Sequence, residues 1–277
     1  MKIRAATILL LVFFYGNLFG QDLKIVSWNI KDFGKTRTDD DISLMSNILM
    51  DYDIVAIQEV VAKDVGGIEA VRRLKDELSR TGTNWECFFS NPTVSPSGYI
   101  SERYAYLYKT SKVSSTNKPF LISEVSSDVE REPYVAFFKF DSHIITILNF
   151  HACTHKAHHP ERIEIESISN WIIGKDYPNI VFLGDMNLKI SDCAFDKIKT
   201  ELENAFDGEK TSLKEECKNG NYLSKAEDNI LYSFNDFELV ESHVVDFIGE
   251  LNCESVTWKR ESLSDHLPIS ISLNNLN

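Results

Sequence analysis

Polar side chains follow several apolar segments of this 277-residue sequence, at the point where each segment ends. The run "KIVSWN" ends in Asn29, "DIVAIQE" in Glu59, "IITILNFH" in His151, and "NIVFLGDMN" in Asp185 and Asn187. Each residue alone is common in turns, but strands that end together in carboxylate, amide and imidazole groups can hold a preorganised site. The oxygen-rich set favours Mg²⁺, Ca²⁺ or Mn²⁺ over zinc, which would require more His or Cys at ligand spacing.

Two further segments add groups suited to proton transfer. "AEDNILYS" places Asp228 before an apolar run, and "SLSDHLP" places Asp265 and His266 before the last one. Carboxylates, imidazoles and a cation suit hydrolysis of a phosphate ester, in which one group activates water and another protonates the leaving oxygen. The sequence contains no G-x-S-x-G elbow and no P-loop that would indicate a different chemistry.

The segments that carry these residues predict a mixture of strands and helices. Short apolar runs such as "RYAYLYK", "PYVAFFKF" and "LPISISL" are typical of strands. Helices are predicted at 39–50, 66–80, 161–174 and 193–206. No linker rich in Pro, Gly or Ser divides the chain, so we expect one α+β domain from residue 21 to residue 277, with sheets packed on each other and covered by helices.

The N-terminal segment 1–20 has the pattern of a secretory signal peptide. Lys2 and Arg4 precede an apolar stretch that is too short to span a bilayer comfortably as a helix. We expect cleavage near Gly20 and a secreted or periplasmic protein without stable membrane association; an uncleaved anchor is the alternative. Removal of the segment takes the formal net charge from −13 to −15. Because so acidic a chain gains no nonspecific attraction to phosphate, a polyanionic substrate would require bound cations or a local basic patch.

Five cysteines suit an oxidising compartment, and the odd number leaves at least one of them unpaired. None has the C-x-x-C spacing of a zinc or redox site. Cys193 and Cys217 flank a polar segment and are the preferred pair for a disulfide.

Taken in order, the motifs resemble a known family across nearly the whole mature chain. "SWNI", "IQEV", "NFH", "GDMN" and "SDHLP" resemble the endonuclease/exonuclease/phosphatase superfamily, and "SERYAYLYK" with "REPYVAFF" resembles its deoxyribonuclease I branch. The resemblance implies a four-layer α/β/β/α sandwich of two mostly antiparallel sheets flanked by helices. It also implies a monomeric, metal-dependent endonuclease that hydrolyses DNA phosphodiester bonds to 5′-phosphate products with Mg²⁺ or Mn²⁺, and structural Ca²⁺ is a further expectation.

The same resemblance assigns a role to each polar residue at the strand ends. Asn29 and Glu59 are expected to hold the catalytic cation, with Asp265 close by. Asp185 and Asn187 are expected to position the attacking water or the scissile phosphate. Whether one or two metal ions act is left open.

Two histidine–carboxylate pairs are implied as the acid and the base. His151 is paired with Glu102 of "SERY", and His266 with Asp228 of "EDN". A carboxylate that accepts from one ring nitrogen fixes the tautomer and raises the basicity of the imidazole. Arg131 of "REP" is the expected phosphate contact, because its planar fork can bind two oxygens at once. Which histidine acts as base is left open.

Some positions depart from the animal deoxyribonuclease I pattern. Val61 stands where an arginine would reach the minor groove, and Ile100 replaces an aromatic residue beside the sugar. Duplex binding is therefore expected to be weaker or differently arranged, with Lys63, Arg103 or the "THKAHHP" loop as substitutes. The histidines of that loop, which follow His151, are expected to be solvated; a second metal or phosphate site there is a minor alternative.

Two other functions compete with the nuclease. Sphingomyelinase-like enzymes of the same superfamily share the "QE", "GD-x-N" and "DH" elements, so a phospholipid or another phosphate ester is the alternative substrate. The arginine of "REP" and the glutamate of "SERY" favour the nuclease. A binding protein without catalysis is disfavoured, because the predicted catalytic residues are all present.

Overall fold

The computed structural model describes residues 22–94, 101–154, 160–249 and 253–276. Two large β-sheets pack face to face, and a shared core of buried aromatic and aliphatic side chains lies between them. Separate apolar clusters join the outer face of each sheet to its helices. This arrangement confirms the predicted four-layer fold, whereas the predicted signal peptide lies outside the described residues. No helix in the described part of the chain is long and apolar enough to cross a membrane.

The strands form two large sheets and one small hairpin. In chain order they are β1 (Leu23–Phe33), β2 (Ile54–Val61), β3 (Trp85–Phe89), β4 (Glu102–Lys109), β5 (Val113–Ser115), β6 (Phe120–Leu121), β7 (Tyr134–Phe140), β8 (His143–His151), β9 (Ile180–Asp185), β10 (Glu203–Asn204), β11 (Leu213–Lys218), β12 (Asn221–Leu223), β13 (Asp228–Ser233), β14 (Phe237–Val244) and β15 (Ile269–Asn275). The first sheet has the order β14-β15-β1-β2-β4-β3. The second has the order β10-β13-β9-β8-β7-β5, with β6 also paired to β7, and β11 pairs with β12.

The strand directions bring the polar ends of the apolar segments together. β1 runs parallel to β2, with Asn29 opposite Gln58, and β8 runs parallel to β9, with His151 opposite Asp185. Because the carboxyl ends of parallel strands meet at the same edge of a sheet, each sheet delivers two predicted site strands to one edge. β13 is antiparallel to β9 and brings Asp228 opposite Asp185.

Tyrosine side chains tie the two sheets together in the core. Tyr106 of β4 is completely buried, and its hydroxyl donates to the carbonyl oxygens of Tyr134 (2.8 Å) and Ile147 (3.0 Å) in the second sheet. A buried hydroxyl without partners would be costly, so these bonds favour one alignment of the sheets. Ring contacts of Tyr134 with Tyr104 and Tyr106 extend this packing.

The helices are α1 (Asp39–Leu49), α2 (Gly66–Ser79), α3 (Pro160–Ile173) and α4 (Cys253–Ser262). The first three confirm the predictions for 39–50, 66–80 and 161–174. Thr38 begins α1 with a capping box, in which its hydroxyl accepts from the backbone of Asp41 and its backbone donates to the Asp41 carboxylate. The sequence patterns did not predict α4.

The helix predicted at 193–206 is wrong. Two short 3₁₀ turns, Cys193–Phe195 and Ile198–Thr200, are followed by strand β10. These turns still bury the apolar side chains of Phe195 and Ile198 against the second sheet, while the pairing of β10 with β13 fixes the end of the segment. Apolar spacing alone does not distinguish this path from a helix.

The predicted disulfide Cys193–Cys217 is also wrong. The structure joins Cys217 of β11 to Cys253 at the start of α4, with a Cα–Cα distance of 5.1 Å. Cys193 is exposed and unpaired, and Cys87 and Cys153 are also free. The β11–β12 hairpin packs on α4 through Leu213 and Val256, and this contact brings the two cysteines together. The sequence around Cys217 gives no indication of it.

Candidate active site

The first predicted histidine pair is formed across the two sheets. His151 ends β8 of the second sheet, Glu102 begins β4 of the first, and His151 Nδ1 lies 3.0 Å from Glu102 Oε2. Burial opposes charge on both side chains, but their attraction prevails, so the pKa of His151 is raised and the pKa of Glu102 is lowered. Tyr104 Oη accepts from the backbone N–H of His151 (3.2 Å) and helps to fix the end of the strand.

Arg131 extends this pair on the side of Glu102. Its Nε lies 3.2 Å from Glu102 Oε2, and its Nη1 donates to the backbone carbonyl oxygens of His151 (3.4 Å) and Ala152 (3.3 Å). Burial disfavours the charge, yet the Glu102 carboxylate raises the pKa of Arg131 above its ordinary value. The guanidinium is therefore a fixed positive charge next to the His151 imidazole, as its predicted role with phosphate requires.

The second histidine pair has a matching geometry. His266 Nδ1 lies 2.8 Å from Asp228 Oδ2, and the same oxygen accepts from the hydroxyl of Thr211. Burial would lower the pKa of His266, but the carboxylates of Asp228 and Asp185 raise it well above its ordinary value. Trp28 Nε1 donates to the carbonyl of His266 (2.8 Å) and anchors the loop on the first sheet.

Asp185 lies between the two imidazoles. Its Oδ2 is 3.6 Å from His151 Nε2 and 3.6 Å from His266 Nε2, so both rings present their outer nitrogen to one carboxylate. Gly184 allows this strand end to form: its φ is +137°, and a Cβ there would lie 1.8 Å from Phe150 O. The glycine is therefore required for close pairing of β8 and β9 at the site.

Asn29 and Glu59 offer oxygen atoms beside this carboxylate. Asn29 Nδ2 donates to Glu59 Oε1 (3.1 Å) and Asp185 Oδ2 (3.0 Å), while Asn29 Oδ1 is buried without a hydrogen-bond partner among the described residues. Glu59 has φ +60°, a left-handed conformation that costs about 1–3 kcal/mol at a non-glycine residue and is concentrated at functional sites. An unsatisfied amide oxygen and nearby carboxylates fit a hard divalent cation.

A second group of oxygen and nitrogen atoms could also hold a cation. One ligand atom from each of Asp185, Asp228 and His266 lies within 4.8 Å of the others. Asp185 thus belongs to both groups, so the arrangement accommodates either one metal position or two. The residues fit the predicted Mg²⁺ or Mn²⁺, both of which prefer oxygen ligands.

Asp265, the third predicted metal ligand, is held by positive charges. Its Oδ2 lies 3.2 Å from Lys31 Nζ and 3.3 Å from Arg260 Nη2. These cations compete with a metal for that oxygen, so Asn29 and Glu59 are better placed as ligands. The role of Asp265 at the metal stays a prediction.

Asn187 forms a tight turn after β9. Its backbone N–H donates to Asp185 Oδ1 (3.0 Å), its Nδ2 donates to Ala152 O (2.8 Å), and its φ is +50°. The turn orients the Asp185 carboxylate and joins it to the residue that follows His151. The structure therefore gives Asn187 a positioning contact in addition to its predicted role at the water or phosphate.

Sequence reasoning missed the polar residues that align the sheets behind the site. Gln58 Nε2 donates to Asn149 Oδ1 (2.6 Å) and Ser27 Oγ (3.0 Å), and Asn149 Nδ2 donates to the carbonyl of Ile57 (3.1 Å). Gln58 and Asn149 are completely buried. The only signal was an amide inside each of the motifs "IQE" and "NFH", because an amide within an apolar strand requires a buried partner.

Ser264 is a further missed residue, in the loop before His266. Its hydroxyl donates to the carbonyl of Asn29 (2.6 Å) and accepts from the backbone N–H of His266 (3.1 Å). It thereby links the end of β1, where Asn29 lies, to the second imidazole. Ile100 and the loop histidines His155, His158 and His159 lie outside the described residues.

Comparison of the sequence with known proteins identifies the family of this chain. The model of the Endonuclease/Exonuclease/phosphatase family matches residues 26–266. Deoxyribonuclease-1 of Bos taurus is 29% identical over 187 residues, which cover 64% of this chain and 63% of that protein. Deoxyribonuclease-1-like 2 of Mus musculus is 26% identical over 184 residues, which cover 63% and 62%. The similar stretch thus spans less than two thirds of each relative, and it confirms the predicted resemblance to the deoxyribonuclease I branch.

Solved structures share the fold at low sequence identity. An endonuclease/exonuclease/phosphatase family protein from Bacteroides thetaiotaomicron has a TM-score of 0.66 and 14% identity, and the match covers 92% of this chain and 98% of that one. A mannosyl-6-phosphatase from the same organism has a TM-score of 0.63 and 17% identity, with 91% and 99% covered. At such identities the similarity establishes the architecture alone.

Proposed function

The chain belongs to the Endonuclease/Exonuclease/phosphatase family, and from that premise we propose that it is a secreted or periplasmic, metal-dependent endonuclease that hydrolyses DNA phosphodiester bonds. One observation carries the proposal: His151 and His266, each paired with a carboxylate, present their Nε2 atoms at 3.6 Å from the same oxygen of Asp185. Hydrolysis of a phosphodiester requires one group that accepts a proton and one that donates it, on opposite sides of a phosphate.

The protein groups can perform both proton transfers. One imidazole accepts the proton of the attacking water at Nε2, while the other, protonated at Nε2, donates to the leaving 3′ oxygen and leaves a 5′ phosphate. Glu102 and Asp228 hold the two Nδ1 atoms and stabilise the imidazolium form. A cation at Asn29 and Glu59 would supply charge stabilisation for the phosphate oxygens.

The contacts of Arg131 favour a nuclease over a lipid phosphodiesterase or phosphatase. Arg131 and Glu102 come from the two motifs that resemble the deoxyribonuclease I branch, and they contact each other and His151. Sphingomyelinase-like enzymes share the metal-binding and imidazole motifs, but the pair of Arg131 and Glu102 is not characteristic of them. The guanidinium places a fixed positive charge beside His151, where a phosphodiester group would lie.

The test is digestion of supercoiled plasmid, single-stranded DNA and RNA by mature protein with Mg²⁺ and with EDTA. We expect EDTA-sensitive nicking that is lost in His151→Ala. His143→Ala is the matched control, since His143 also contacts a carboxylate (Asp236, 3.2 Å) but lies at the opposite end of β8. Intact nucleic acids beside hydrolysed sphingomyelin or p-nitrophenyl phosphate would refute the proposal, and N-terminal sequencing of exported protein tests the cleavage near Gly20.

A further inference from the structure

A cavity of about 710 Å³ lies beside the catalytic edge, outside the site described above. Its walls come from the end of β3, from the segment that contains β6, and from the first residues of β4 and β7. The side chains that give it chemical character are aromatic, cationic or amide: Phe89, Asn91, Arg103, Lys118, Phe120 and Tyr134. We call this cavity the aromatic cleft.

The aromatic cleft begins next to catalytic residues. Arg103 follows Glu102 in β4, but its side chain lies on the opposite face of the strand. The link to the site is Tyr134, which stacks on Tyr104 with a centroid distance of 6.5 Å, and Tyr104 contacts the backbone of His151. Tyr134 begins β7 three residues after Arg131 and pairs in register with Asn149, two residues before His151. A nucleic acid strand bound at the imidazoles can therefore reach the cleft with a neighbouring nucleotide.

The side chains of the cleft suit a base and its phosphate. Phe120 lines the cleft and is 39% exposed, and its ring packs on Phe137 with a centroid distance of 6.3 Å. Arg72 does not line the cleft, but its guanidinium lies 5.4 Å from the centroid of the wall residue Phe89. Arg103, which does line it, donates to the carbonyl of Ser90 (2.7 Å). Aromatic faces combined with cations are how proteins bind single-stranded nucleic acids.

We propose that the aromatic cleft binds an unstacked base and its adjoining phosphate from a single-stranded substrate, next to the phosphodiester that is cleaved. The proposal rests on the proposed nuclease function and specifies its substrate class. Bases in a duplex stack on each other, so a cleft with aromatic walls is accessible only to a base that has left the stack. The volume is within the range of cavities that bind small molecules, and a nucleotide fits.

The first test compares two substitutions of Phe120. Phe120→Tyr keeps the ring, whereas Phe120→Leu keeps apolar bulk without the π face. We expect Phe120→Leu to raise KM for oligo(dT) at least about fivefold with unchanged kcat, because stacking on aromatic side chains contributes strongly to single-strand binding. Phe120→Tyr should behave as the wild type, and KM for duplex DNA should not change in either variant. Equal KM values for oligo(dT) in all three proteins, or equal increases for single strand and duplex, would overturn the proposal.

The second test measures the phosphate contact through its salt dependence. Neutralisation of one phosphate of a single strand contributes about 0.7 to the slope of log Kobs against log salt. Lys118→Ala should reduce the slope for oligo(dT) binding by about this amount. Lys139→Ala is the matched control, since Lys139 is an exposed lysine toward the far end of β7. The same slope in the wild type and both variants would contradict a phosphate contact at Lys118.

Binding and cleavage assays distinguish failure of the cleft proposal from failure of the nuclease proposal. Binding of labelled oligo(dT) by the full chain in EDTA is measured by fluorescence anisotropy and requires no catalysis. If the wild type cleaves no nucleic acid but binds oligo(dT), and Phe120→Leu loses that binding, the cleft stands and the endonuclease proposal falls. If the wild type cleaves DNA while Phe120→Leu binds and cleaves oligo(dT) as well as the wild type does, the cleft proposal falls.

Discussion

Glu164 should make the stability of the folded chain depend on pH between about 5 and 8. This residue of α3 is completely buried, and its carboxylate accepts from the backbone N–H groups of Glu130 (2.7 Å) and Cys153 (2.8 Å). Those two residues flank the segments that hold Arg131 and His151, so Glu164 joins both segments from behind the site. Burial raises the pKa of Glu164 to about 7, although both hydrogen bonds favour the charged form.

The sign of the pH dependence follows from proton binding in the two states. The ordinary pKa of Glu164 is 4.5, and its pKa in the folded chain is about 7. At a pH between these two values, Glu164 keeps a proton in the folded chain, whereas the unfolded chain has released it. Rising pH therefore favours the unfolded state over this pH range. The contribution of the protonated carboxyl group to the unfolding free energy is fully present only below pH 4.5. The difference corresponds to about 3 kcal/mol of unfolding free energy lost by pH 8.

The assay is urea denaturation of the wild type and Glu164→Gln at several pH values from 5 to 8. Glutamine leaves one backbone N–H without an acceptor, which costs about 1–3 kcal/mol at every pH. We expect the advantage of the wild type to shrink by about 2–3 kcal/mol as the pH rises. Glu166→Gln, on the exposed face of the same helix, removes a charge without burial and is the control. Parallel curves for wild type and Glu164→Gln would show that the carboxylate is already ionised in the folded chain, and would refute the reasoning.

Other substitutions test the disulfide, the strand contact and the second histidine pair. Joint replacement of Cys217 and Cys253 by serine should lower the unfolding free energy by about 4 kcal/mol, because the bridge closes a loop with a sequence separation of 36. Urea denaturation curves with and without reductant would check this value. Gly184→Ala should cost more than about 2 kcal/mol, since the Cβ would meet a backbone oxygen at 1.8 Å, and an unchanged thermal midpoint would contradict this. Asp228→Asn should lower kcat by about 10²-fold or more and move the ionisation of His266 in the pH–rate profile to lower pH; a profile identical to that of the wild type would show that the pair does not act in catalysis.

The positions of the candidate site residues could be predicted because the sequence pattern that indicates them is local. An apolar run that ends in a polar residue identifies a strand and the group at its end, and this reasoning found Asn29, Glu59, His151 and Asp185. The sheet topology then places these groups at one edge. The resemblance of the motifs supplied the pairing of each histidine with its carboxylate, which no spacing in the sequence encodes.

The features that were missed or wrong depend on long-range contacts. Cys217 pairs with Cys253 because the β11–β12 hairpin packs on α4, and neither cysteine carries a local sign of its partner. Gln58 and Asn149 align the sheets through a contact between residues 91 apart in the chain. Glu164 lies on a helix that the sequence predicted, but its burial was not predicted, because its two backbone partners belong to separate loops.

Each histidine–carboxylate pair contains one residue from each sheet. His151 comes from the second sheet and Glu102 from the first, whereas His266 precedes β15 of the first sheet and Asp228 begins β13 of the second. Neither pair can form within one sheet, so the distance between the sheets sets both contacts at once. The hydrogen bonds between Tyr106, Gln58 or Asn149 and the opposite sheet fix that distance within a few residues of the imidazoles. Because the core that stabilises the fold also sets the distance between the sheets, a change in how the sheets pack alters both histidine–carboxylate pairs together.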